Sequence, residues 1–199
     1  MSFVQTLSKF EIYLIIINVV GFIVYLINTL LYRYSSDSQI DKLVTIVAFI
    51  GGSAGIILSI LIFDRKAEKG NMMSRVFVAC IFVIQIIVLL IIKGHVADHL
   101  TLAFWDFFND NKILIYYLVI INFISLAVYG VDKINAAEGR TRIRIVTLLG
   151  LAFIGGSIGA IIAMYLFHHK TRKDYFTVGV PLIMIMQVVV LFYSMNFSW

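Results

Sequence analysis

Six long apolar runs, each closed by charged or small polar residues, dominate the chain. They lie near residues 11–32, 43–63, 76–92, 113–131, 146–167 and 177–196. The apolar positions are continuous, which predicts helices, because strands of a membrane barrel would alternate apolar and polar residues over about ten positions. A run of about 20 residues at ~1.5 Å rise matches a hydrocarbon layer of about 30 Å. The pattern therefore predicts an all-α fold, a polytopic membrane helical bundle of about six transmembrane helices. The first run follows Lys9, has no small-residue cleavage site after it, and exceeds the ~7–15 apolar residues of a signal core. It is expected to stay in the mature protein.

Composition supports the same class. Of 199 residues, 61% are hydrophobic and 14% charged, with one proline and a mean hydropathy of +0.99. A soluble domain of this size could not bury so much apolar surface. The net charge of +5 comes from basic residues scattered through short segments beside the runs. That favours the lipid bilayer and its anionic headgroups as partners over nucleic acid. Cys80, the single cysteine, lies inside a run and can form no internal disulfide, so packing is its expected role.

The chain matches itself at an offset of 104 positions. Tyr13, Asn18 and Tyr25 fall on Tyr117, Asn122 and Tyr129, and Ala48-Phe49-Ile50-Gly51-Gly52-Ser53 with Gly55 falls on Ala152-Phe153-Ile154-Gly155-Gly156-Ser157 with Gly159. Phe63, Lys66 and Lys69 then meet Phe167, Lys170 and Lys173. An internal duplication follows, with a first three-helix repeat at 1–93, an interfacial linker at 94–112 and a second repeat at 113–199. The linker mixes His95, Asp98, His99, Trp105, Asp106, Phe107 and Phe108, as suits a helix at headgroup level. Three crossings per repeat, an odd number, would make the halves inverted repeats. On that topology the basic residues divide nine to seven, which favours cytoplasmic termini only slightly. It also sets Asp132 and His169, at either end of the fifth run, on opposite membrane faces.

The first helix of each half carries a polar or small stripe: Asn18, Gly21, Tyr25 and Asn28, then Asn122, Ser125, Tyr129 and Asp132. Offsets of 3, 7 and 10 keep each stripe on one helical face. Such groups are costly against lipid, so they should face the protein interior, as a solute path or as interhelical hydrogen bonding that holds the bundle together. The substrate-path candidates are Asn18, Tyr25, Asn28, Asn122, Ser125, Tyr129, Asp132 and His169. Gly51, Gly52, Gly55, Gly155, Gly156 and Gly159 follow the small-residue logic of close helix packing, and a Gly-Gly-Ser sequence can also let a helix bend. They form no phosphate loop, since no Gly-Lys-Ser/Thr ending follows. Gln85 and Gln187 occupy comparable places in the third helices, where interhelical hydrogen bonds are expected.

His168-His169-Lys170-Thr171-Arg172-Lys173 reads as a headgroup-facing basic cluster, with metal binding or substrate contact as alternatives. His95 and His99, four apart, could share a helix face. No catalytic constellation is evident, and neither a metal site nor a cofactor is expected.

The ordered set Tyr129, Asp132-Lys133, Ala136, Arg142-Ile143, Gly155-Gly156, Gly159-Ala160, Met164, Phe167, His169-Lys170-Thr171, Lys173 and Phe176 resembles the bacterial membrane proteins grouped as domain of unknown function 1294. The resemblance covers about residues 113–195. The first half looks like a diverged copy, with Asn28-Thr29 for Asp-Lys and Arg65-Lys66-Ala67 for His-Lys-Thr, and Arg144-Ile145 departs from the family's usual Pro-Glu. The resemblance implies a bacterial inner-membrane protein and no particular chemistry. Some relatives resemble fusions to a cold-shock module, which this chain lacks, so no nucleic-acid role is carried over.

Three functions fit this reading. The leading one is a small solute carrier or channel for a small molecule or ion, and a membrane scaffold or accessory subunit is the alternative. A lipid-headgroup enzyme using His168, His169 and Asp132 is third, set back by their expected separation. A homo-oligomer is compatible with any of these.

Overall fold

A computed structural model describes residues 8–34, 40–64, 70–97 and 99–197. Arg65, Lys66, Ala67, Lys69 and Asp98, which entered the repeat, the family comparison, the charge count or the linker above, lie outside the described residues. Every regular element among those described is helical. Six stretches are long and apolar enough to cross a membrane by length and composition: Lys9–Tyr32, Asp41–Phe63, Met72–Ile92, Lys112–Ala137, Ile145–Leu166 and Asp174–Met195. The chain divides into two compact units, Met1–Gln85 and Ile86–Trp199, each described by itself.

In the first unit, α1 (Lys9–Tyr34) is followed by α2 (Asp41–Val47), the turn Ala48–Gly52, α3 (Ser53–Phe63) and α4 (Met72–Ile92), whose last residues belong to the second unit. The second stretch does not continue in one direction. Its start meets the end of α1, where the Asn28 Oδ1 accepts from the Ile40 N–H at 2.9 Å. Its turn lies lower on α1, with Gly51 against Tyr13, Leu14 and Ile17. It then climbs back, since Gly55 packs on Asn18, Phe63 on Phe22 with ring centroids 5.9 Å apart, and Asp64 on Tyr25. So α2 runs against α1 and α3 runs with it. The reversal needs Gly51 at φ 123°, a backbone conformation open to a residue without a Cβ. Tyr25, Val44, Val47, Ala48, Ile56 and Val78 form the buried core between these limbs.

The second unit repeats the design. After α5 (Phe104–Asp110) come α6 (Lys112–Ala137), α7 (Ile145–Leu151), the turn Ala152–Gly156, α8 (Ser157–Leu166), the short α9 (Asp174–Thr177) and α10 (Gly179–Met195). Ile143 and Leu148 meet α6 at Asp132 and Tyr129, and Gly155 at φ 125° turns against Tyr117, Leu118 and Ile121. On the return, Gly159 packs on Asn122, Phe167 on Gly130 and His169 on Asp132. This corrects the sequence-based placement of Asp132 and His169 on opposite faces: the run between them doubles back.

Outward positions on the limbs are apolar, among them Leu58, Leu61, Ile62, Ile158, Ile162 and Leu166, and they are exposed. Apolar surface on that scale suits a surrounding of lipid. In the linker, α5 buries no residue, and Trp105 is exposed. His95 and His99 lie outside any helix, so they share no helical face.

Candidate functional site

Each hairpin has two polar centres, one at its tip and one at its mouth. At the tip of the second hairpin, reversal at Gly155 interrupts the regular α-helical hydrogen-bond pattern, and backbone groups left unpaired at membrane depth are costly. Side chains of the same unit meet them. The Gln187 Nε2 donates to the Ala152 and Phe153 carbonyls at 2.6 and 3.0 Å, the Tyr117 hydroxyl to Ile154, and the Asn122 Nδ2 to Gly155 at 3.0 Å. The Asn122 Oδ1 also accepts from the Gly159 N–H at 2.7 Å, and the Ser157 hydroxyl donates to the Gln187 Oε1 at 2.6 Å. The first hairpin uses the same parts: Gln85 to Ala48 and Phe49 at 2.7 and 3.2 Å, Tyr13 to Ile50 at 2.6 Å, the Gly55 N–H to Asn18 at 2.8 Å, and Ser53 to Gln85.

The mouth of the second hairpin holds a fully buried carboxylate. Asp132 reaches it from the C-terminal part of α6. Its Oδ1 accepts from the Ile143 N–H at 2.8 Å, while its Oδ2 meets His169 Nε2 at 2.7 Å and Lys170 Nζ at 3.0 Å. An ionised carboxylate only accepts, so Nε2 is the donor in the imidazole contact. His168 and Lys170 hold φ of 47° and 66°, the left-handed region that non-glycine residues rarely enter. Strain of this kind persists where surrounding contacts over-determine the backbone, as Asp132 does here for two consecutive side chains. Lys170 Nζ also sits 5.1 Å from the Phe176 ring centroid, and Phe176 meets Tyr129 edge-on at 5.9 Å. The Tyr129 hydroxyl donates to the Leu148 carbonyl at 3.3 Å.

The first hairpin builds its mouth differently. Asn28 stands where Asp132 stands in the repeat and binds Asp41 at 3.0 Å through its Nδ2. The central carboxylate is Asp64, at the hairpin's exit, which receives Arg75 at 2.8 Å, the Tyr25 hydroxyl at 2.8 Å and the Asn71 amide at 2.7 Å. Each unit thus has one partly or fully buried carboxylate–cation pair at the same end of its hairpin, assembled from non-equivalent positions.

The candidates from the sequence therefore separate. Asn18 and Asn122 are at the tips; Tyr25, Asn28, Tyr129, Asp132 and His169 are at the mouths. Ser125 is fully buried on α6 beside Gly156. A Cβ on Gly55 or Gly159 would overlap the backbone of Asn18 or Asn122, and one on Gly52 would stand 2.9 Å from the Ile17 carbonyl oxygen. Among the described residues no group of three or more His, Cys, Asp or Glu side chains is placed to hold a metal ion. Lys170 and Phe176, named above only in the repeat, the basic cluster or the family motif, and Arg75 belong to the mouths without being path candidates. Tyr13 and Tyr117, matched in the repeat, and Gln85 and Gln187, comparably placed in the third helices, were the signal for the tips.

Residues 122–176 match the family described as "Protein of unknown function (DUF1294)". A relative from Bacillus subtilis (strain 168), "Uncharacterized protein YsdA", is 35% identical over 75 residues, which is 38% of this chain and 84% of the relative. This chain belongs to the DUF1294 family. No solved structure matches it. The DUF1294 match opens at Asn122 and closes at Phe176, so it takes in the whole second hairpin, the Asn122 clamp and the Asp132 cluster. The aligned stretch is nearly all of the relative but little over a third of this chain, so the relative is about the size of one unit.

Proposed function

We propose that this membrane protein is a small solute carrier or channel of the bacterial cytoplasmic membrane that works through its hairpins. The observation supporting this reading best is the reversal of an apolar stretch at Gly51 and at Gly155. Carriers build substrate paths from interrupted helices, because non-helical backbone at membrane depth is tolerated only when buried in protein or lining a water-filled cavity. On this reading Asn18 and Asn122 brace the tips, while Asp132, with His169 and Lys170, gates the second mouth by exchanging partners with the solute.

A scaffold or accessory subunit is the second reading, and it has an observation of its own. The tip amides of Asn18 and Asn122 are engaged within their own units, and the cavity beside Asn122, about 350 Å³, is lined by Leu118, Val119, Phe123, Leu126, Ile158 and Ile162. That lining suits an acyl chain better than a polar solute.

Reconstitution in sealed vesicles separates the two. Stopped-flow light scattering with polyols and amino acids, and a potential-sensitive dye with salts, should report flux above protein-free vesicles, reduced by Asp132→Asn. Equal rates for protein-containing and protein-free vesicles across the panel would sink the transport reading in favour of the scaffold.

A further inference from the structure

We propose that Asp41–Phe63 and Ile145–Leu166 are re-entrant hairpins, so that each unit crosses the bilayer only twice and the hairpin mouths lie in the cytoplasm. This holds whether or not a solute crosses.

Limb length is the first ground. From Ile145 to Gly155, and from Gly155 back to Leu166, each limb has ten or eleven steps, about 15–17 Å at ~1.5 Å per residue. That is little over half of a hydrocarbon layer of about 30 Å. Both ends of each hairpin also meet one short stretch of the preceding helix: Ile40 and Asp64 reach Asn28 and Tyr25, and Ile143 and His169 both reach Asp132. A segment that leaves from the level at which it entered has not crossed.

The second ground is where the linker goes. The Tyr193 hydroxyl donates to the His95 carbonyl at 2.9 Å, the Ala97 N–H to the Asn196 carbonyl at 2.8 Å, and the Thr101 N–H to the Asn196 Oδ1 at 2.6 Å. The chain just past α4 is therefore bound to the end of α10 remote from Asp132, since α10 follows Phe176 at the mouth and reaches Gln187 at the tip. Lys112, the start of α6, lies at this same remote end. Two crossings per unit, an even number, return the chain each time to the face of the linker.

The basic residues supply an independent ground. With six crossings they divide nine to seven. With the hairpins re-entrant, only Lys9, Lys93 and Lys112 lie on the face of the linker, and the other thirteen of the chain's 16 Lys and Arg residues lie on the face of the mouths. The positive-inside rule places that face in the cytoplasm, against anionic headgroups, and the start of α1 and the end of α10 outside. This reverses the orientation that the six-crossing count favoured.

Single cysteines tested with a membrane-impermeant maleimide in intact cells, then after permeabilisation, decide the matter. Cys80 is buried, and Cys80→Ser serves as the control background. Ser8→Cys and His99→Cys should label in intact cells, whereas Lys42→Cys, Thr141→Cys and Arg172→Cys should label only after permeabilisation. Six crossings would instead group Ser8 with Thr141 and His99 with Arg172, and that grouping overturns the proposal. All five positions with sides exchanged would overturn the cytoplasmic assignment. Trypsin on the unaltered protein in right-side-out and inverted vesicles provides a variant-free check. Cleavage at Arg140–Arg144 and at Arg172–Lys173 should occur only in inverted vesicles, and cleavage of the two sites from opposite sides would overturn the topology.

Discussion

His169 Nε2 lies 2.7 Å from Asp132 Oδ2 across 37 residues of sequence, and Lys170 Nζ reaches the same oxygen at 3.0 Å. Removing one partner of such a buried pair strands the others. Asp132→Ala should therefore cost about 3–5 kcal/mol of stability, read as a lower unfolding midpoint in detergent micelles. Adding Lys170→Met should restore part of the loss, because the stranded ammonium goes with it. Equal midpoints for the single and double variants would show that Lys170 is not left stranded when Asp132 is lost.

The tip clamps predict losses in both units. Gln187→Leu leaves the Ala152 and Phe153 carbonyls without their side-chain donor, and Gln85→Leu does the same to Ala48 and Phe49. At about 1–3 kcal/mol for each buried group left unsatisfied, Gln187→Leu should lose about 2–6 kcal/mol and Gln85→Leu, whose contact to Phe49 is exposed, about 1–3 kcal/mol. Thermal unfolding should show a clear drop for both, and wild-type midpoints would mean that something else meets these carbonyls.

The glycines divide by what a Cβ would meet. Gly159→Ala puts it into the Asn122 backbone, which should cost about 1–3 kcal/mol or more. Gly155→Ala adds the strain of a positive φ, about 1–3 kcal/mol. Gly150, on α7, has nothing within 4 Å of that position, so Gly150→Ala should be neutral or gain about 0.5–1 kcal/mol of helix propensity. A uniform response across the three in unfolding assays would refute this packing.

The mouths predict an asymmetry. The Tyr25 hydroxyl donates to the Asp64 carboxylate at 2.8 Å, whereas that of Tyr129 donates to a backbone carbonyl at 3.3 Å. Hydrogen bonds to charged groups contribute about 1.5–3 kcal/mol and neutral ones about 0.5–1.5. Tyr25→Phe should therefore lower the unfolding midpoint more than Tyr129→Phe, and the opposite order would contradict the assignment.

Much of the fold was legible in the sequence, because apolar run length reports helix and lipid directly. Repeat matching brought out Asn18 with Asn122 and Gly51 with Gly155. The direction of the chain after Gly51 and Gly155 was hidden, because a hairpin of two half-length apolar limbs has the composition of one full crossing. Hydropathy does not record a sign of φ. Without that reversal the sequence keeps Asp132 and His169 at opposite ends of one run, and only the fold brings them to one mouth. Lys170 looked like one more headgroup-facing cation, since only the strained backbone after Leu166 turns it inward. The first mouth was hidden for another reason: its carboxylate moved from the position of Asn28 to Asp64, so matching equivalent positions could not find it.

Gln187 also has a bearing on biosynthesis. The tip at Ala152–Gly156 leaves the ribosome some thirty residues before the side chain that meets two of its carbonyls. The first tip waits similarly for Gln85. Until the helix after it has been made, each hairpin lacks the side-chain donor that meets two carbonyls at its tip.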